Sequence, residues 1–126
     1  MIENSKTILI VDDSNISRRK IIGLLSPELY TIHEGKNGFD AVNYLSGHKP
    51  DCVILDLLMP EMDGFEVLEY MKENDIKVPV VVLSADIQES TKSTCLGLGA
   101  FAFLNKPPDK QILNDTVSNA IKSKEL

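Results

Sequence analysis

Five short apolar segments recur along the chain, and four of them are not interrupted by polar residues. The four runs are Ile8 to Val11, Cys52 to Leu55, Val80 to Leu83 and Ala100 to Leu104. Runs of this kind are typical of parallel strands that are covered on both faces, so we predict four central strands. The fifth segment, Leu29 to Glu34, alternates and ends in charge, which favours a strand nearer an edge.

Between these strands, apolar residues recur at the spacing of one helix face. The stripes are Ile21, Leu24 and Leu25; Ala41, Val42 and Leu45; Val67, Leu68 and Met71; and Leu113, Val117, Ala120 and Ile121. Each stripe predicts an amphipathic helix with one buried face. The interval from Gln88 to Gly97 is weaker, because its serines and threonines have low helix propensity. We expect it to form the most mobile helix.

Strands and helices alternate five times without a linker or a low-complexity stretch. This pattern predicts one α/β domain with a parallel sheet, helices on both faces and right-handed crossovers. We expect the domain to span residues 1–126, with a core at about residues 6–122 and a frayed tail at residues 123–126. A chain of this length buries about two thirds of its unfolded surface without a disulfide or a structural metal.

Composition and charge disfavour disordered, nucleic-acid-binding, secreted and membrane-spanning proteins. The chain is 43% hydrophobic and 25% charged, as in ordered globular domains. A net charge of −6 leaves no uniform basic surface for nucleic acid. The N-terminus lacks the order of a secretory signal, and no apolar run approaches the ~20 residues of a membrane helix. We expect a cytoplasmic protein with no membrane insertion, whose two cysteines, Cys52 and Cys95, are free thiols that are buried or partly buried.

Polar residues with reactive side chains follow four of the predicted strands. Asp12 and Asp13 follow the first strand, Asp56 the third, Ser84 the fourth and Lys106 the fifth. The carboxyl ends of parallel strands meet at one edge of the sheet, where ligands of such folds bind. We therefore expect three carboxylates, one hydroxyl and one ammonium to converge there.

Taken singly, these residues have a simpler explanation, since Asp13 or Ser14 can cap the first helix. Three clustered carboxylates, however, repel one another unless a cation joins them. Oxygen ligands without Cys or His favour Mg²⁺. Lys106 and Ser84 suit an additional anion such as a phosphoryl group, which leaves one aspartate to act as the nucleophile.

Five short motifs in this order resemble the receiver domain of two-component response regulators. They are Leu9-Ile10-Val11-Asp12-Asp13-Ser14 with Arg18 beyond, Asp56 to Gly64, Leu83-Ser84-Ala85, Gly99-Ala100 and Lys106-Pro107. The resemblance covers nearly the whole chain and is to the stand-alone, chemotaxis-regulator-like type. It implies a flavodoxin-like, doubly wound sheet of five strands in the order 2-1-3-4-5, with five helices in three α/β/α layers.

The resemblance also implies a phosphorylation site. Asp56 is expected to accept a phosphoryl group from a histidine kinase or a histidine phosphotransfer protein. Mg²⁺ is expected to bind Asp12, Asp13, Asp56 and the backbone carbonyl of Leu58. Ser84 is expected to contact the phosphoryl oxygens.

Further implied roles concern the rest of the site and the output. Lys106 is expected to contact the phosphoryl oxygens and to precede a cis bond to Pro107. Phe103 is expected to turn inward with Ser84 and to change the face formed by the fourth helix, fifth strand and fifth helix. A downstream protein, which the sequence does not identify, then binds that face.

Two flanking positions and one basic run complete the sequence-based hypotheses. Leu58 and Asp86 occupy positions that flank the phosphoryl group in this family, and we expect their side chains to set its lifetime. Leu58 would obstruct the attacking water, whereas Asp86 would order that water or repel the phosphate. We interpret Arg18-Arg19-Lys20 as a solvated helix face beside the acidic cluster.

Other functions stay open at this point. The chain suits a phosphorelay intermediate or a phosphate sink as well as a direct signalling protein. A Mg²⁺-dependent phosphatase with an aspartyl nucleophile is disfavoured, because Leu58 occupies the place of the second aspartate two residues after Asp56. A binding module without phosphorylation is disfavoured because all five site positions carry competent residues. We expect a signalling protein that is not an enzyme acting on other substrates.

Overall fold

The computed structural model describes residues 5–124. Strands and helices alternate along these residues as β1 (Lys6–Val11), α1 (Asn15–Leu24), β2 (Tyr30–Gly35), α2 (Gly38–Leu45), β3 (Cys52–Asp56), α3 (Gly64–Glu73), β4 (Val80–Ser84), α4 (Glu89–Gly97), β5 (Ala102–Asn105) and α5 (Lys110–Lys124). All pairings between neighbouring strands are parallel, and the order across the sheet is β2-β1-β3-β4-β5. The predicted flavodoxin-like order is confirmed.

The sheet separates two apolar layers, because alternate residues of each strand face opposite sides. Leu9 and Val11 of β1 belong to the layer that contains the buried faces of α2, α3 and α4. Ile8 and Ile10 belong to the layer that contains those of α1 and α5. The three α/β/α layers are thus confirmed. The two cysteines are free and buried, as predicted.

Strand β5 differs from its prediction, because it is an edge strand and begins later than residue 100. Helix α4 ends at Gly97, and Gly99 has a positive φ of 100° that turns the chain back toward the sheet. Pairing with β4 starts with Ala102 opposite Val81. The apolar residues of β5 are half-buried, so the prediction of a central strand was wrong.

Helix α5 continues past the predicted core boundary at residue 122. Ser123 Oγ donates a hydrogen bond to the Ala120 carbonyl at 2.6 Å, and Lys124 Nζ donates one to the Pro50 carbonyl at 3.3 Å. Two of the four residues expected to form a tail are therefore helical, and residues 125–126 lie outside the described part. No helix within residues 5–124 is long and apolar enough to cross a membrane.

Helix α4 is held by little apolar packing. Cys95 is the one buried residue among Glu89–Gly97, and Leu96 of the same helix is 42% exposed. This agrees with the predicted lack of apolar anchors. The mobility of α4 stays a prediction.

Candidate functional site

The carboxyl ends of β1 and β3 bring three carboxylates together. Asp12 and Asp13 follow β1, and Asp56 is the last residue of β3, its neighbour in the sheet. One carboxylate oxygen from each residue lies within 4.8 Å of the other two. Asp12 and Asp56 are buried, whereas Asp13 is exposed. The predicted convergence of these carboxylates is confirmed.

Lys106 brings a positive charge into this cluster from the loop after β5. Its Nζ lies 2.7 Å from Asp12 Oδ2 and 3.4 Å from Asp56 Oδ1. The Lys106 backbone N–H donates to the Ser84 carbonyl at 2.9 Å, which fixes the loop to the end of β4. The peptide bond to Pro107 is cis, as expected.

Asp12 is oriented by hydrogen bonds that the sequence did not indicate. The Ser14 backbone N–H donates to Asp12 Oδ1 at 2.9 Å, and Ser17 Oγ donates to Asp12 Oδ2 at 2.5 Å. Ser17 was missed, although its place in the first turn of the helix that follows Asp12 was a usable signal. Together with Lys106, these donors engage both oxygens of the Asp12 carboxylate.

Arg18 corrects the interpretation of the basic run as a solvated face. It is 5% exposed, and its Nη1 donates to the Asp12 backbone carbonyl at 2.6 Å. Its Nε donates to Glu34 Oε1 at 2.9 Å, and its Nη2 donates to Asn15 Oδ1 at 3.1 Å. Arg19 is exposed and also contacts Glu34. Arg18 therefore joins the Asp12 loop to the end of β2, and only its two neighbours fit the prediction.

The surroundings shift the pKa of Asp56 and of Lys106 in the same direction. Burial raises the pKa of Asp56 from 3.8 to about 6, the charge of Lys106 opposes this, and the charges of Asp12 and Asp13 add to it. Burial alone would lower the pKa of Lys106, but the hydrogen bond to Asp12 and the carboxylate charges outweigh it and raise that pKa. Both shifts show that the negative charge of the cluster favours a bound proton or another cation.

Ser84 is the last residue of β4 and is 1% exposed. It follows Leu83, which pairs with Asp56 across the β3–β4 register. Its Oγ accepts the Asp86 backbone N–H at 3.0 Å. The Asp86 carboxylate accepts hydrogen bonds from the Gln88 N–H and the Thr91 hydroxyl, and these lower the pKa of Asp86. Both carboxylate oxygens are thus engaged at the start of α4, and the expected role of Asp86 in phosphoryl lifetime stays a prediction.

The loop between β3 and α3 lies against the backbone of Asp56. A Cβ atom at Gly64 would stand 2.6 Å from the Asp56 carbonyl oxygen, so this close approach requires glycine. Asp63 and Glu66 form a capping box that begins α3 at this point. Leu58 in this loop is 65% exposed. The roles expected for the Leu58 carbonyl and side chain stay predictions.

Phe103 lies in β5 and is half-buried against the core layer that contains α2, α3 and α4. Its ring therefore packs on the same side of the sheet as α4. The expected inward movement with Ser84 stays a prediction.

The donor set fits a hard divalent cation. Within residues 5–124, three carboxylates converge without a His or Cys ligand, which is the chemistry that Mg²⁺ prefers. Lys106 supplies one positive charge to the three aspartates, so the cluster still carries excess negative charge. Because Asp13 is exposed, a cation can reach the cluster from solvent.

Comparison with known sequences places this site in a family. A family model described as response regulator receiver domain matches residues 8–118. The chemotaxis protein CheY of Halobacterium salinarum is 30% identical over 117 residues, which cover 93% of this chain and 98% of that protein. A protein-glutamate methylesterase/protein-glutamine glutaminase of Treponema denticola is 41% identical over 94% of this chain. The match covers 33% of that relative, so the chain spans about a third of its length.

Solved structures show the same fold. The signal receiver domain of a histidine kinase from Syntrophus aciditrophicus matches with a TM-score of 0.84 and 31% identity, over 94% of this chain and 92% of that one. The CheX–CheY–BeF3–Mg²⁺ complex from Borrelia burgdorferi matches with a TM-score of 0.84 and 32% identity, over 90% and 87%. The matched sequence region contains the acidic cluster, Ser84 and Lys106, and the chain belongs to the response regulator receiver family.

Proposed function

We propose that this receiver domain accepts a phosphoryl group on Asp56 from the phosphohistidine of a histidine kinase or a histidine phosphotransfer protein, in a Mg²⁺-dependent reaction. The observation that carries the proposal is the convergence of three carboxylates within 4.8 Å, with Lys106 in contact with two of them. Asp56 is a buried carboxylate at the edge of the sheet, and the nearby Lys106 ammonium offsets part of the negative charge there. Such a carboxylate is suited to act as a nucleophile toward an anionic phosphoryl group.

In this reaction an oxygen of the Asp56 carboxylate bonds to phosphorus while the bond from phosphorus to the donor histidine nitrogen breaks. Burial keeps Asp56 poorly hydrated, so its oxygen needs little desolvation before it reacts. Asp12, Asp13, Asp56 and the Leu58 carbonyl are the groups that would hold Mg²⁺. The bound cation would neutralise charge on the transferring group.

Lys106 and Ser84 provide further groups for the phosphoryl oxygens. The Lys106 ammonium is already within 3.4 Å of Asp56 Oδ1 and supplies a fixed positive charge. Ser84 Oγ is buried at the end of the neighbouring strand and carries a hydroxyl proton that can be donated to an anion. Both side chains therefore stabilise the phosphorylated form in the proposal.

The phosphorylated domain then signals through the face formed by α4, β5 and α5 to a downstream protein. The sparse packing of α4 and the half-buried position of Phe103 support this, because both can move at a small cost in packing. The similarity to a CheY that forms a complex with the protein CheX supports binding to a partner protein. Transfer onward in a phosphorelay and storage as a phosphate sink are the alternatives for the same site.

A direct test is incubation with a small acyl phosphate and Mg²⁺, followed by the mass of the intact chain. We expect a gain of one phosphoryl group that requires Mg²⁺ and is lost in Asp56→Asn. Asp75→Asn is the matched control, since Asp75 is an exposed aspartate outside the cluster. An undiminished gain in Asp56→Asn contradicts the proposal.

A further inference from the structure

Helix α4 begins differently from the other helices in residues 5–124. The N-cap side chains Ser14, Asn37 and Asp63 accept a backbone N–H from the helices that they precede, α1, α2 and α3. Asp109 does the same for α5, since its carboxylate accepts the Ile112 N–H at 3.0 Å. Gln88, the N-cap residue of α4, makes no such bond. The first turn of α4 must therefore be held in another way.

Asp86, two residues before the N-cap, holds this first turn. Its Oδ1 accepts the Gln88 backbone N–H at 3.0 Å, and its Oδ2 accepts the Thr91 hydroxyl at 2.8 Å. Both bonds are made to a carboxylate, and such charge-assisted bonds are stronger than neutral ones. Since Cys95 is the one buried residue of Glu89–Gly97, these polar contacts replace the apolar anchoring that the helix lacks.

The same residue is tied to the candidate phosphorylation site. The Asp86 backbone N–H donates to Ser84 Oγ at 3.0 Å. Ser84 Oγ acts there as an acceptor, so this bond does not use its hydroxyl proton. A hydroxyl has one proton to donate and two lone pairs, so Ser84 can turn toward an anion on Asp56. That rotation changes the hydrogen bond from the Asp86 backbone N–H to Ser84 Oγ.

We propose that Asp86 and Thr91 form a hydrogen-bonded relay that transmits the movement of Ser84 to the first turn of α4. The relay runs from Ser84 Oγ to the Asp86 backbone, and from the Asp86 carboxylate to Thr91 and to the Gln88 N–H. It rests on the proposed phosphorylation of Asp56 and adds a route that does not pass through Phe103. Asp86 and Thr91 are positioning residues in it, because they act through Ser84.

The test is hydrogen exchange of peptides that cover residues 85–92, with and without a small acyl phosphate and Mg²⁺. Phosphoryl mass is measured on the same samples. In the wild type we expect phosphorylation to change the exchange of these amides several-fold. In Thr91→Val the loss of one hydrogen bond raises exchange in the unphosphorylated protein by about fivefold. The difference between the two states falls to less than half of the wild-type difference.

Two further variants separate the relay from a general loss of helix stability. Thr91→Ser keeps the hydroxyl, and we expect it to restore the wild-type difference between the two states. Thr94→Val is the matched control, because Thr94 Oγ1 donates to the Ser90 carbonyl at 2.9 Å within α4 and does not reach Asp86. It should leave that difference unchanged. Asp86→Ala removes both carboxylate bonds and should reduce that difference at least as much as Thr91→Val does.

Other outcomes overturn the relay. If Thr91→Val gains phosphoryl mass and shows the full wild-type difference in exchange, α4 responds without the Asp86–Thr91 bond. If the wild type gains phosphoryl mass but residues 85–92 exchange at the same rate in both states, the relay is wrong and the phosphorylation stands. If the wild type gains no phosphoryl mass, the proposed function fails and the relay fails with it.

Discussion

The Lys106 ammonium lies 2.7 Å from Asp12 Oδ2, and Asp12 is 1% exposed at its side chain. The distance from the same ammonium to Asp56 Oδ1 is 3.4 Å. Lys106 is thus paired more closely with a candidate metal ligand than with the candidate phosphoacceptor. We therefore expect Lys106 and a divalent cation to compete for the Asp12 carboxylate.

Removal of this competitor should tighten Mg²⁺ binding. We expect Lys106→Gln to bind Mg²⁺ several-fold more tightly than the wild type at pH 7, because the cluster then carries one more uncompensated negative charge. The same variant should accept phosphoryl groups at least about tenfold more slowly, since it lacks the cation on the phosphoryl oxygens. Isothermal titration calorimetry measures the first effect and the rate of phosphoryl mass gain the second. Lys110→Gln, at an exposed lysine of α5, is the control. Weaker Mg²⁺ binding by Lys106→Gln would contradict a competition between Lys106 and Mg²⁺ for Asp12.

The raised pKa of Asp56 makes the stability of the metal-free protein depend on pH. Between pH 3.8 and about pH 6, the folded protein keeps a proton on Asp56 that the unfolded chain has lost. The free energy of unfolding therefore falls as the pH rises through this window. The full loss is at most about 3 kcal/mol, because each pKa unit corresponds to about 1.4 kcal/mol.

Asp56→Asn isolates this contribution, since the amide does not ionise. In a chelator at pH 7, urea unfolding should show Asp56→Asn to be more stable than the wild type by roughly 1–3 kcal/mol. The difference should shrink toward zero near pH 4. A variant that is no more stable than the wild type at pH 7, or an advantage that does not depend on pH, disagrees with the raised pKa.

Adjacent arginines on α1 should differ in their contribution to stability. Arg18→Met leaves the Asp12 carbonyl and Glu34 without their buried donor, and we expect it to cost about 2–3 kcal/mol. Arg19→Met removes an exposed partner of the same glutamate and should cost less than about 1 kcal/mol. Urea unfolding of both variants at pH 7 provides the comparison. Equal costs would show that the burial of Arg18 adds nothing to stability.

The exposed side chain of Leu58 should control the loss of the phosphoryl group. We expect Leu58→Ala to lose phosphate faster than the wild type by a factor of a few, because water approaches the site more easily. Its stability should stay within about 0.5 kcal/mol of the wild type, since Leu58 is 65% exposed. The decay of the phosphorylated mass measures the rate. Leu29→Ala, at a leucine that is 56% exposed and outside the site, is the control, and an unchanged rate in Leu58→Ala rejects the role.

The sequence was sufficient for the buried strands and for the residues that end them. The last four residues of β1 and the first four residues of β3 and of β4 are apolar, so the ends of these strands, and with them Asp12 and Asp56, could be read from the pattern. Strand β5 could not be placed in the same way, because an apolar run does not distinguish an edge strand from a central one.

The polar contacts around the site were beyond the sequence pattern. Arg18 is buried because Glu34, 16 residues away on β2, lies within hydrogen-bond distance of it. A charged residue in a helix is normally exposed, and Arg18 is buried only because the fold brings Glu34 next to it. Thr91 likewise reads as a residue of low helix propensity, and its bond to Asp86 depends on the turn between β4 and α4.

The most direct measurement is the position of the phosphoryl group in the chain. After incubation with a small acyl phosphate and Mg²⁺, borohydride reduces an aspartyl phosphate to the corresponding alcohol, and peptide masses then locate the altered residue. We predict that the change falls at Asp56 alone and that chelation of Mg²⁺ abolishes it. Modification of Asp12 or Asp13 with Asp56 unmodified, or the same yield at Asp56 without Mg²⁺, would contradict the proposed function.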